Sequence, residues 1–437
     1  MTFSVGGAPE PSVNEEIEFL TLYANDKGEV FEHPEMGLLG RTLDSWVVPE
    51  SEEMIPLPRG ASLVMVPEHY PVGLNAANGE SVCLQENPLG ESGRVYAVGA
   101  LLPQGFTRTY LPAGVVGSDQ GRLPLLGYAA VGFKDGEIYV AAVQTDEHHK
   151  WHPHYYNSSG LEKRINRRLQ SHTNNRILHQ LAYCALNYSC FTAQNIFYER
   201  WEGGIPSMPG CNASCIGCIS QQHGPAGAPQ DRLDFVPETW EVVEVGMYHL
   251  ARAQEGIISF GQGCEGEPAL NHACLAPAIQ TIRQEVDGGT INMNTNAGFT
   301  SGIKEIVDAG LDAMRVTIFS CIPDHYNIYH CPQNYSLNDV EASIAYACSH
   351  GVYVSLNLLT FPGFTDREEE VESLVDFVRR NDIDMVQLRN LNLDPDHLAG
   401  EVPYSTRNMG IKEFINVLQG VEGLRIGSYT HPVAENL

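Results

Sequence analysis

From about residue 203 onward, short apolar runs alternate regularly with stretches of helical spacing. The apolar runs cover residues 204–208, 257–261, 290–294, 313–319, 352–359 and 384–390. The helical stretches lie near residues 238–254, 273–286, 302–309, 337–349, 366–381 and 411–419. Successive strand–helix units require parallel strands joined by right-handed crossovers, with the helices packed on the outer face. The pattern therefore predicts an α/β fold whose sheet curls into an open six-stranded barrel, a partial (β/α)6 TIM-like barrel.

The residues before this alternation follow a different pattern, rich in glycine, proline and short β-type runs. Such runs cover residues 61–66, 95–102 and 138–143, and Asp135-Gly136 separates two runs as a tight hairpin would. We therefore predict a small β-rich N-terminal domain over residues 1–147. Residues 148–202 include a stretch of helical spacing from Leu161 to Tyr188 and are predicted to form a helical connector. The barrel then occupies residues 203–437.

Charge and composition exclude several classes of function. The 437 residues include 26 Lys and Arg against 54 Asp and Glu, and the formal net charge of −28 disfavours nucleic acid as a partner. With 43% hydrophobic and 18% charged residues, the sequence is typical of a globular protein and shows no membrane span. Residues 1–16 lack the basic and apolar segments of a signal or transit peptide. We therefore expect a cytoplasmic protein that does not bind a membrane.

Four of the predicted strands alternate polar with apolar residues, although parallel strands covered on both faces are normally apolar throughout. Successive residues of a strand point to opposite faces, and the helices must cover the apolar face. The polar set is therefore expected to face the barrel interior and to line a ligand cavity. The alternative is that some of these strands are misassigned or lie at an exposed edge. The set comprises Asn292, Asn294, Arg315, Thr317, Ser355, Asn357, Gln387 and Arg389.

Directly after the first predicted strand, three cysteines stand at C-x3-C-x2-C spacing. Cys211, Cys215 and Cys218 on one short loop can bind three corners of a four-iron cluster, because thiolates suit iron–sulfur sites. The fourth iron then has no protein ligand and is open to a small molecule. The alternative is a zinc site in which a fourth ligand such as His223 joins the cysteines. In that case the chain is a non-catalytic zinc or iron–sulfur binding module.

This cysteine motif on a strand–helix scaffold resembles the radical S-adenosylmethionine (radical SAM) enzymes over roughly residues 203–430. In that family the motif holds a [4Fe-4S] cluster, so the resemblance implies that the three cysteines are metal ligands and catalytic residues. The family's second motif is a Gly-Gly-Glu-Pro-like turn after the second strand. Gly266, Glu267 and Pro268 match it, whereas Glu265 stands where a glycine is usual. The resemblance implies that this turn binds the amino group of the methionine moiety.

Further positions resemble segments that bind SAM in the family. Asn294 and Asn296 end the third strand, where the family contacts the ribose. Arg315 to Ser320 is similar to the segment that reaches the methionine carboxylate or the ribose, and Asn357 begins a strand and turn similar to those along the adenine. The resemblance thus implies two cofactors, a [4Fe-4S] cluster and S-adenosyl-L-methionine.

The reaction implied by the resemblance is the reductive cleavage of SAM to methionine and a 5′-deoxyadenosyl radical, which abstracts hydrogen from a substrate. The implied partners are a small-molecule or peptide substrate and reduced flavodoxin or ferredoxin as electron donor. Gln387 and Arg389 lie on the sixth strand, across the open barrel from the cysteine loop, so we predict that they bind the substrate rather than SAM. An interior arginine is costly unless it is paired. The alternative is that Arg389 pairs with a buried carboxylate such as Glu265 or Glu267.

Overall fold

The computed structural model describes residues 17–90, 92–117, 125–147, 149–221, 227–405 and 407–433. The chain forms two compact units that are not contiguous in sequence. The first unit combines the N-terminal part of the chain, up to Thr145, with residues 360–371 and 390–417. The second unit combines residues 146–359 with residues 372–389 and the segment from Leu418 onward. The predicted domain boundaries at residues 147 and 202 stay a prediction.

Antiparallel strands build the N-terminal part of the first unit, which is β-rich as predicted. The strands β1 to β14 are Leu20–Ala24, Val30–Leu38, Gly40–Arg41, Trp46–Val47, Met54–Pro56, Ser62–Met65, His69–Asn75, Ser81–Cys83, Tyr96–Leu101, Phe106–Arg108, Leu111–Pro112, Gly114–Val116, Ala129–Lys134 and Glu137–Gln144. The main sheet has the order β10-β14-β13-β9-β1-β2-β7-β12, with β5, β6 and β8 pairing at its sides. A second sheet has the order β11-β3-β4. The alternating residues of the main sheet bury an apolar cluster that includes Leu22, Val98, Val131 and Val140, each at most 5% exposed.

The predicted two-residue hairpin lies between β13 and β14 and is confirmed. Asp135 and Gly136 have φ angles of 50° and 86°, as required by the turn that matches the twist of an antiparallel pair. Lys134 lies opposite Glu137 at the first pair beyond the turn. The local Asp-Gly signal therefore set the register of the two strands.

The stretch predicted as a helical connector contains three helices in the second unit. Helices α1 to α3 are Leu161–Ser171, Arg176–Asn187 and Phe191–Tyr198. Helix α2 begins after Asn175, whose side chain accepts a hydrogen bond from the backbone N–H of Leu178 and so caps the helix.

Single 3-10 turns cover Ser51–Glu53, His149–Trp151, Pro153–Tyr155 and Pro268–Asn271.

A curled parallel half-barrel follows, with its strands ordered along the sheet as they are along the chain. Strands β15 to β21 are Arg200–Gly204, Gln254–Phe260, Thr290–Thr295, Ala313–Ile318, Tyr353–Thr360, Met385–Asn390 and Arg425–Gly427. The prediction of the first strand at 204–208 is wrong in its bounds: β15 lies four residues earlier. Pro206 has no N–H for a sheet hydrogen bond, so the strand ends before it. The seventh strand, β21, was not predicted, because three residues are too few to show a periodicity.

Helices alternate with the strands of this sheet along the chain. Helices α4 to α11 are Thr239–Leu250, His272–Glu285, Thr300–Asp308, Pro323–His330, Leu337–Ser349, Glu368–Arg380, Pro395–Glu401 and Ile411–Gln419. Six correspond to the predicted helices, and α7 and α10 are additional short helices that each begin with a proline. Ile291, Met293 and Met314 of the strands and Ile279 and Ile303 of the helices are fully buried.

None of the described helices is both long and apolar enough to cross a membrane.

Candidate functional site

The cysteine motif lies on the loop that follows β15. The segment around helix α7 holds this loop by backbone hydrogen bonds. Ser214 N donates to His330 O at 3.1 Å, and Ile216 N donates to Tyr329 O at 3.0 Å. On the other side of the motif, Gln333 N donates to Asn212 O at 2.8 Å. A helix absent from the sequence prediction therefore fixes the course of the loop.

The three thiols of this loop are partly buried and influence one another. Burial, followed by the charge of Glu267, raises the pKa of Cys211 to about 11. Burial and the proximity of Cys211 and Cys218 also raise the pKa of Cys215. Neutral thiols are the expected state of such a loop without a metal, because closely spaced thiolates repel one another. A cationic cluster would reverse this balance, since metal ligation deprotonates thiols.

This donor set fits an iron–sulfur cluster by its chemistry. It offers three sulfur ligands on one loop and no competing carboxylate ligand of its own. Within the described ranges, no group of three or more His, Cys, Asp or Glu side chains is already arranged as a metal site. His223, the fourth ligand of the zinc alternative, lies outside the described residues.

His330 is a further residue of this region, which the sequence analysis missed. It is buried at the end of α7, with Nδ1 3.5 Å from the Sγ of Cys215. Phe319 N–H donates to its Nε2 at 3.3 Å, which leaves the ring proton on Nδ1, facing the sulfur. Burial lowers the pKa of His330 to about 3, so the ring is neutral. The only available signal was a histidine at the end of a short segment without clear periodicity.

The Gly-Gly-Glu-Pro-like turn is in direct backbone contact with the cysteine loop. Gly266 N donates to Met208 O at 2.6 Å, and Glu267 N donates to Gly210 O at 2.8 Å. A Cβ atom on Gly266 would lie 1.9 Å from the carbonyl oxygen of Gly210. Only glycine permits this approach, so the two motifs that the sequence analysis singled out form one backbone unit.

The Glu267 carboxylate ties the same turn to the end of β17. It accepts hydrogen bonds from the Thr295 hydroxyl at 2.5 Å, from Asn296 N at 2.8 Å and from Ala269 N at 3.0 Å. Burial raises the pKa of Glu267, and these donors oppose the shift. Asn296 in turn donates from Nδ2 to Asn212 Oδ1 of the cysteine loop at 2.6 Å. Glu267 and Asn296 therefore connect three segments of the site through their own side chains.

Glu265, which replaces a glycine of the family pattern, also has a defined environment. Its fully buried carboxylate accepts five hydrogen bonds from protein donors, namely Ser207 N, Ser207 Oγ, Met208 N, Gly261 N and Gln262 N. Burial raises its pKa to about 7, and the donors oppose this shift. The alternative that Arg389 pairs with Glu265 or Glu267 is wrong, because protein N–H and O–H groups occupy both carboxylates.

The polar residues of the strands meet one another across the interior of the half-barrel. Asn294, Arg315 and Ser355 are register neighbours on three adjacent strands, as are Thr317 and Asn357 on two. The alternative of misassigned or exposed strands is therefore wrong. The contacts include Asn292 Nδ2 to Asn294 Oδ1 (3.0 Å), Asn357 Nδ2 to Thr317 Oγ1 (3.2 Å), Arg315 Nη1 to Gln387 Oε1 (3.2 Å) and Gln387 Nε2 to Ser355 Oγ (3.0 Å).

Three interior side chains keep a buried polar atom without a partner in the described structure. These atoms are Asn294 Nδ2, Arg315 Nε and Asn357 Oδ1. Buried polar groups are normally hydrogen-bonded, so unpaired atoms on a strand face indicate a missing polar ligand. Ser320, by contrast, accepts a hydrogen bond from Ile322 N at 3.0 Å and shapes the turn before α7.

Two arginines of the interior are influenced by burial and by Glu202. Burial lowers the pKa of Arg389 to about 10, with a further lowering from Arg315 and an opposing effect from Glu202. Burial also lowers the pKa of Arg315, again opposed by Glu202. Arg389 Nη1 donates to the backbone oxygen of Ser428 at 2.9 Å, and Arg315 Nη1 donates to Thr430 Oγ1 at 3.1 Å. Both guanidinium groups thus have polar partners, and Glu202 is the acidic side chain that acts on them.

The sequence analysis missed Glu202, Ser428 and Thr430. Glu202 lies on β15, which was predicted four residues too late, and it accepts a hydrogen bond from Ser259 Oγ at 2.7 Å. Ser428 and Thr430 follow β21, the strand that the sequence did not reveal. A corrected first strand would have placed Glu202 among the candidates.

Comparison with known protein families gives one match, within the barrel region. Residues 205–378 match the family model of the radical SAM superfamily. None of the curated proteins is similar enough in sequence to count as a relative.

Several solved structures are similar to part of this chain at low sequence identity. Streptococcus suis SuiB bound to S-adenosylmethionine is 12% identical, with 61% of this chain and 61% of that chain covered and a TM-score of 0.36. Methylornithine synthase (PylB) is 14% identical, with coverages of 64% and 88% and a TM-score of 0.36. A radical SAM methyltransferase from Sphaerobacter thermophilus is 16% identical, with coverages of 53% and 66% and a TM-score of 0.39. In the comparison with SAM-bound SuiB, the chain spans less than two thirds of the length of that protein.

Proposed function

We propose that this chain is a radical SAM enzyme whose Cys211, Cys215 and Cys218 hold a [4Fe-4S] cluster, because residues 205–378 match the radical SAM family model. The superfamily uses this cluster together with SAM. When bound, the two cofactors supply an electron and a 5′-deoxyadenosyl radical that abstracts hydrogen from the substrate. The tasks of the chain itself are to hold the cofactors, orient the substrate and exclude water.

The observation that carries this proposal is the backbone contact between the cysteine loop and the Gly-Gly-Glu-Pro-like turn. Gly266 N and Glu267 N donate to the carbonyls of Met208 and Gly210, directly before Cys211. A structural metal loop needs no such second motif at the carboxyl ends of six parallel strands. A cofactor-binding site does, because its ligand must be oriented against the cluster.

The residues proposed to bind SAM divide into two groups by their contacts. Asn294, Arg315 and Asn357 present unpaired interior atoms, so we propose that they contact SAM directly. Gly266, Glu267, Asn296 and Ser320 already bind protein groups and are proposed to shape the SAM site.

Gln387 and Arg389 are proposed to serve the substrate, a small molecule or a peptide. The side-chain oxygen of Gln387 accepts a hydrogen bond from Arg315, and its side-chain nitrogen donates one to Ser355, so this residue orients its neighbours. Arg389 is buried beside a second arginine without a carboxylate in contact, so it suits an anionic group of the substrate. Reduced flavodoxin or ferredoxin completes the proposal as electron donor.

The proposal is tested by changing the three motif cysteines together to Ala. Anaerobically reconstituted wild-type protein should bind one oxygen-sensitive [4Fe-4S] cluster, measured by iron and sulfide content and by the spectrum of the reduced cluster. The triple variant should lose it, whereas Cys348→Ala, at a partly buried cysteine of helix α8, should retain it. Stoichiometric zinc in anaerobically purified native protein would contradict the proposal and support the zinc module.

Catalysis is tested separately by following SAM in the reduced protein. Dithionite-reduced, cluster-loaded protein should form 5′-deoxyadenosine slowly without substrate, because this cleavage needs only the two cofactors. If the cluster is intact and SAM is bound but no 5′-deoxyadenosine exceeds a protein-free control, the chain is an iron–sulfur binding module instead.

A further inference from the structure

Arg108, at the end of β10 in the first unit, is a buried cation without a counter-charge. It is 1% exposed, and its Nη2 donates to the backbone oxygen of Leu391. Its Nε and Nη1 have no hydrogen-bond partner, and no carboxylate of the described residues forms an ion pair with it. Burial lowers the pKa of Arg108 to about 9, so the group stays protonated at neutral pH. A buried, protonated guanidinium with two nitrogen atoms that make no hydrogen bond is costly unless something pairs with it.

Thr360 provides a second, independent buried polar group near Arg108 in the hydrogen-bond network. Its side chain is 1% exposed, and its Oγ1 has no partner among the described residues. The backbone N–H of Leu391 donates to the backbone oxygen of Thr360 at 2.9 Å, while the backbone oxygen of the same Leu391 accepts from the Arg108 side chain. Thr360, through its backbone, and Arg108, through its side chain, therefore bind the same residue.

The surroundings fix the position of Arg108 without neutralising its charge. Asn390 Oδ1 accepts from Arg108 N at 3.0 Å, and Asn390 Nδ2 donates to Phe106 O at 3.0 Å. The guanidinium carbon lies 5.5 Å from the centre of the Phe361 ring. A cation–π contact offsets part of the burial cost but satisfies neither free N–H in the guanidinium plane.

Thr360 ends β19 and Asn390 ends β20, and both residues belong to the first unit together with Arg108 and Leu391.

We propose that Arg108 and Thr360 bind an anionic group with acceptor oxygens, a carboxylate or a phosphate, on a small-molecule substrate. The N–H groups on Nε and Nη1 and the Thr360 hydroxyl can all donate, and only an anion both accepts from them and neutralises the buried charge. A water molecule would satisfy a hydrogen bond but leave the charge. The binding step stands by itself, and only the assignment of the anion to the substrate rests on the proposed function.

The test uses the cluster-loaded full chain and titrates inorganic phosphate or acetate at constant ionic strength, with binding measured by calorimetry. Wild-type protein should bind at least one of these anions saturably, and the one that binds distinguishes a phosphate from a carboxylate source. Arg108→Gln should weaken binding by about tenfold or more, because a charge-assisted bond is lost. Arg59→Gln, an exposed arginine of the same unit, should bind as the wild type does. Equal binding by Arg108→Gln, or no saturable binding by the wild type, overturns the proposal.

Two further variants separate ligand binding from a structural role. Thr360→Val keeps the side-chain shape and should weaken anion binding by roughly three- to tenfold through the loss of one hydrogen bond. Arg108→Met removes the unpaired charge, so without anion its unfolding temperature should equal or exceed that of the wild type. A marked fall in that temperature together with unchanged binding by Thr360→Val would assign both residues to packing. If the wild-type protein binds no iron–sulfur cluster or does not cleave SAM, the proposed function is wrong, but the result on anion binding by Arg108 and Thr360 is unaffected.

Discussion

Arg315 and Arg389 both lie in the barrel interior, where Glu202 opposes the lowering of their pKa values by burial. Arg315 binds Gln387 and Thr430, and Arg389 binds the Ser428 carbonyl, so their positions are set by neutral groups. The charge of Arg315 lowers the pKa of Arg389 further, because like charges in a low-dielectric site repel. We propose that Arg315 contacts SAM and that Arg389 serves the substrate.

We predict that Arg389→Ala leaves SAM affinity unchanged, whereas Arg315→Ala lowers it. Arg315 is one of the residues proposed to contact SAM, and its Nε has no partner among the described residues. Arg389 lies two strands away from Arg315 in the sheet, on β20. Calorimetric titration of SAM into the cluster-loaded variants checks the difference. Arg389→Ala should also keep its thermal stability, because it breaks no ion pair. An equal loss of SAM affinity in both variants, or destabilisation of Arg389→Ala by the roughly 3–5 kcal/mol typical of a broken buried pair, would reject the substrate role.

The sequence predicted that these residues face inward, since period-two alternation is a local property of each strand. It did not predict their partners. Glu202 is separated from Arg315 and Arg389 by more than a hundred residues of chain, and Thr430 follows a strand too short to recognise. The face of the sheet to which a side chain points is encoded locally in the sequence. The residue that this side chain contacts depends on how the strands are arranged in the fold.

At the scale of elements, the cysteine loop depends on the turn that follows β16. The turn donates two backbone hydrogen bonds to the loop, and the helix α7 segment holds its other side. The Glu265 carboxylate accepts hydrogen bonds from Ser207 and Met208, just before the loop, and from Gly261 and Gln262, after β16. The glutamate that departs from the family pattern therefore connects the ends of two strands.

We predict that Gly266→Ala destabilises this contact and lowers the iron bound per chain. Its Cβ would lie 1.9 Å from Gly210 O and 3.0 Å from Cys211 N, so the loop that carries the first cysteine must move. Overpacking of this kind costs about 1–3 kcal/mol. The measurements are iron content after reconstitution and the free energy of unfolding in urea.

The matched control is Gly160→Ala, where the nearest atom to an added Cβ is Ser158 Oγ at 4.0 Å. This control should bind iron as the wild type does. If Gly266→Ala also retains full iron content and stability, the close approach of the turn to the loop is not required for cluster binding or for folding.

At the scale of the whole molecule, the first unit is completed by chain segments that follow barrel strands. Phe361, Phe364 and Leu393 are fully buried, and Leu391 is 3% exposed. Their segments join the N-terminal strands through Leu43 N to Pro362 O at 2.8 Å and Leu393 N to Leu126 O at 3.2 Å. These apolar residues belong to the core of the first unit, although they lie far along the chain.

We predict that a fragment of residues 146–437 is aggregation-prone and unfolds at a lower temperature than the full chain. Removing the N-terminal strands exposes the buried apolar side chains of residues 360–371 and 390–417, and large exposed apolar patches promote association. Size-exclusion chromatography and thermal unfolding, with the full chain as control, test this. A monodisperse fragment with the unfolding temperature of the full chain would show that these segments do not need the N-terminal part.

The sequence by itself determined the features that are local along the chain. Strand and helix periods predicted the parallel half-barrel, and the Asp-Gly pair predicted a hairpin. The metal-ligand role predicted from the C-x3-C-x2-C spacing stays a prediction. Only the tertiary structure decided which distant groups meet. Arg108 and Leu391 are 283 residues apart, and the first unit joins three separate stretches of the chain. The physical reason is that periodicity fixes the buried face of an element, whereas the partner of a buried polar group is fixed by the packing of all elements together.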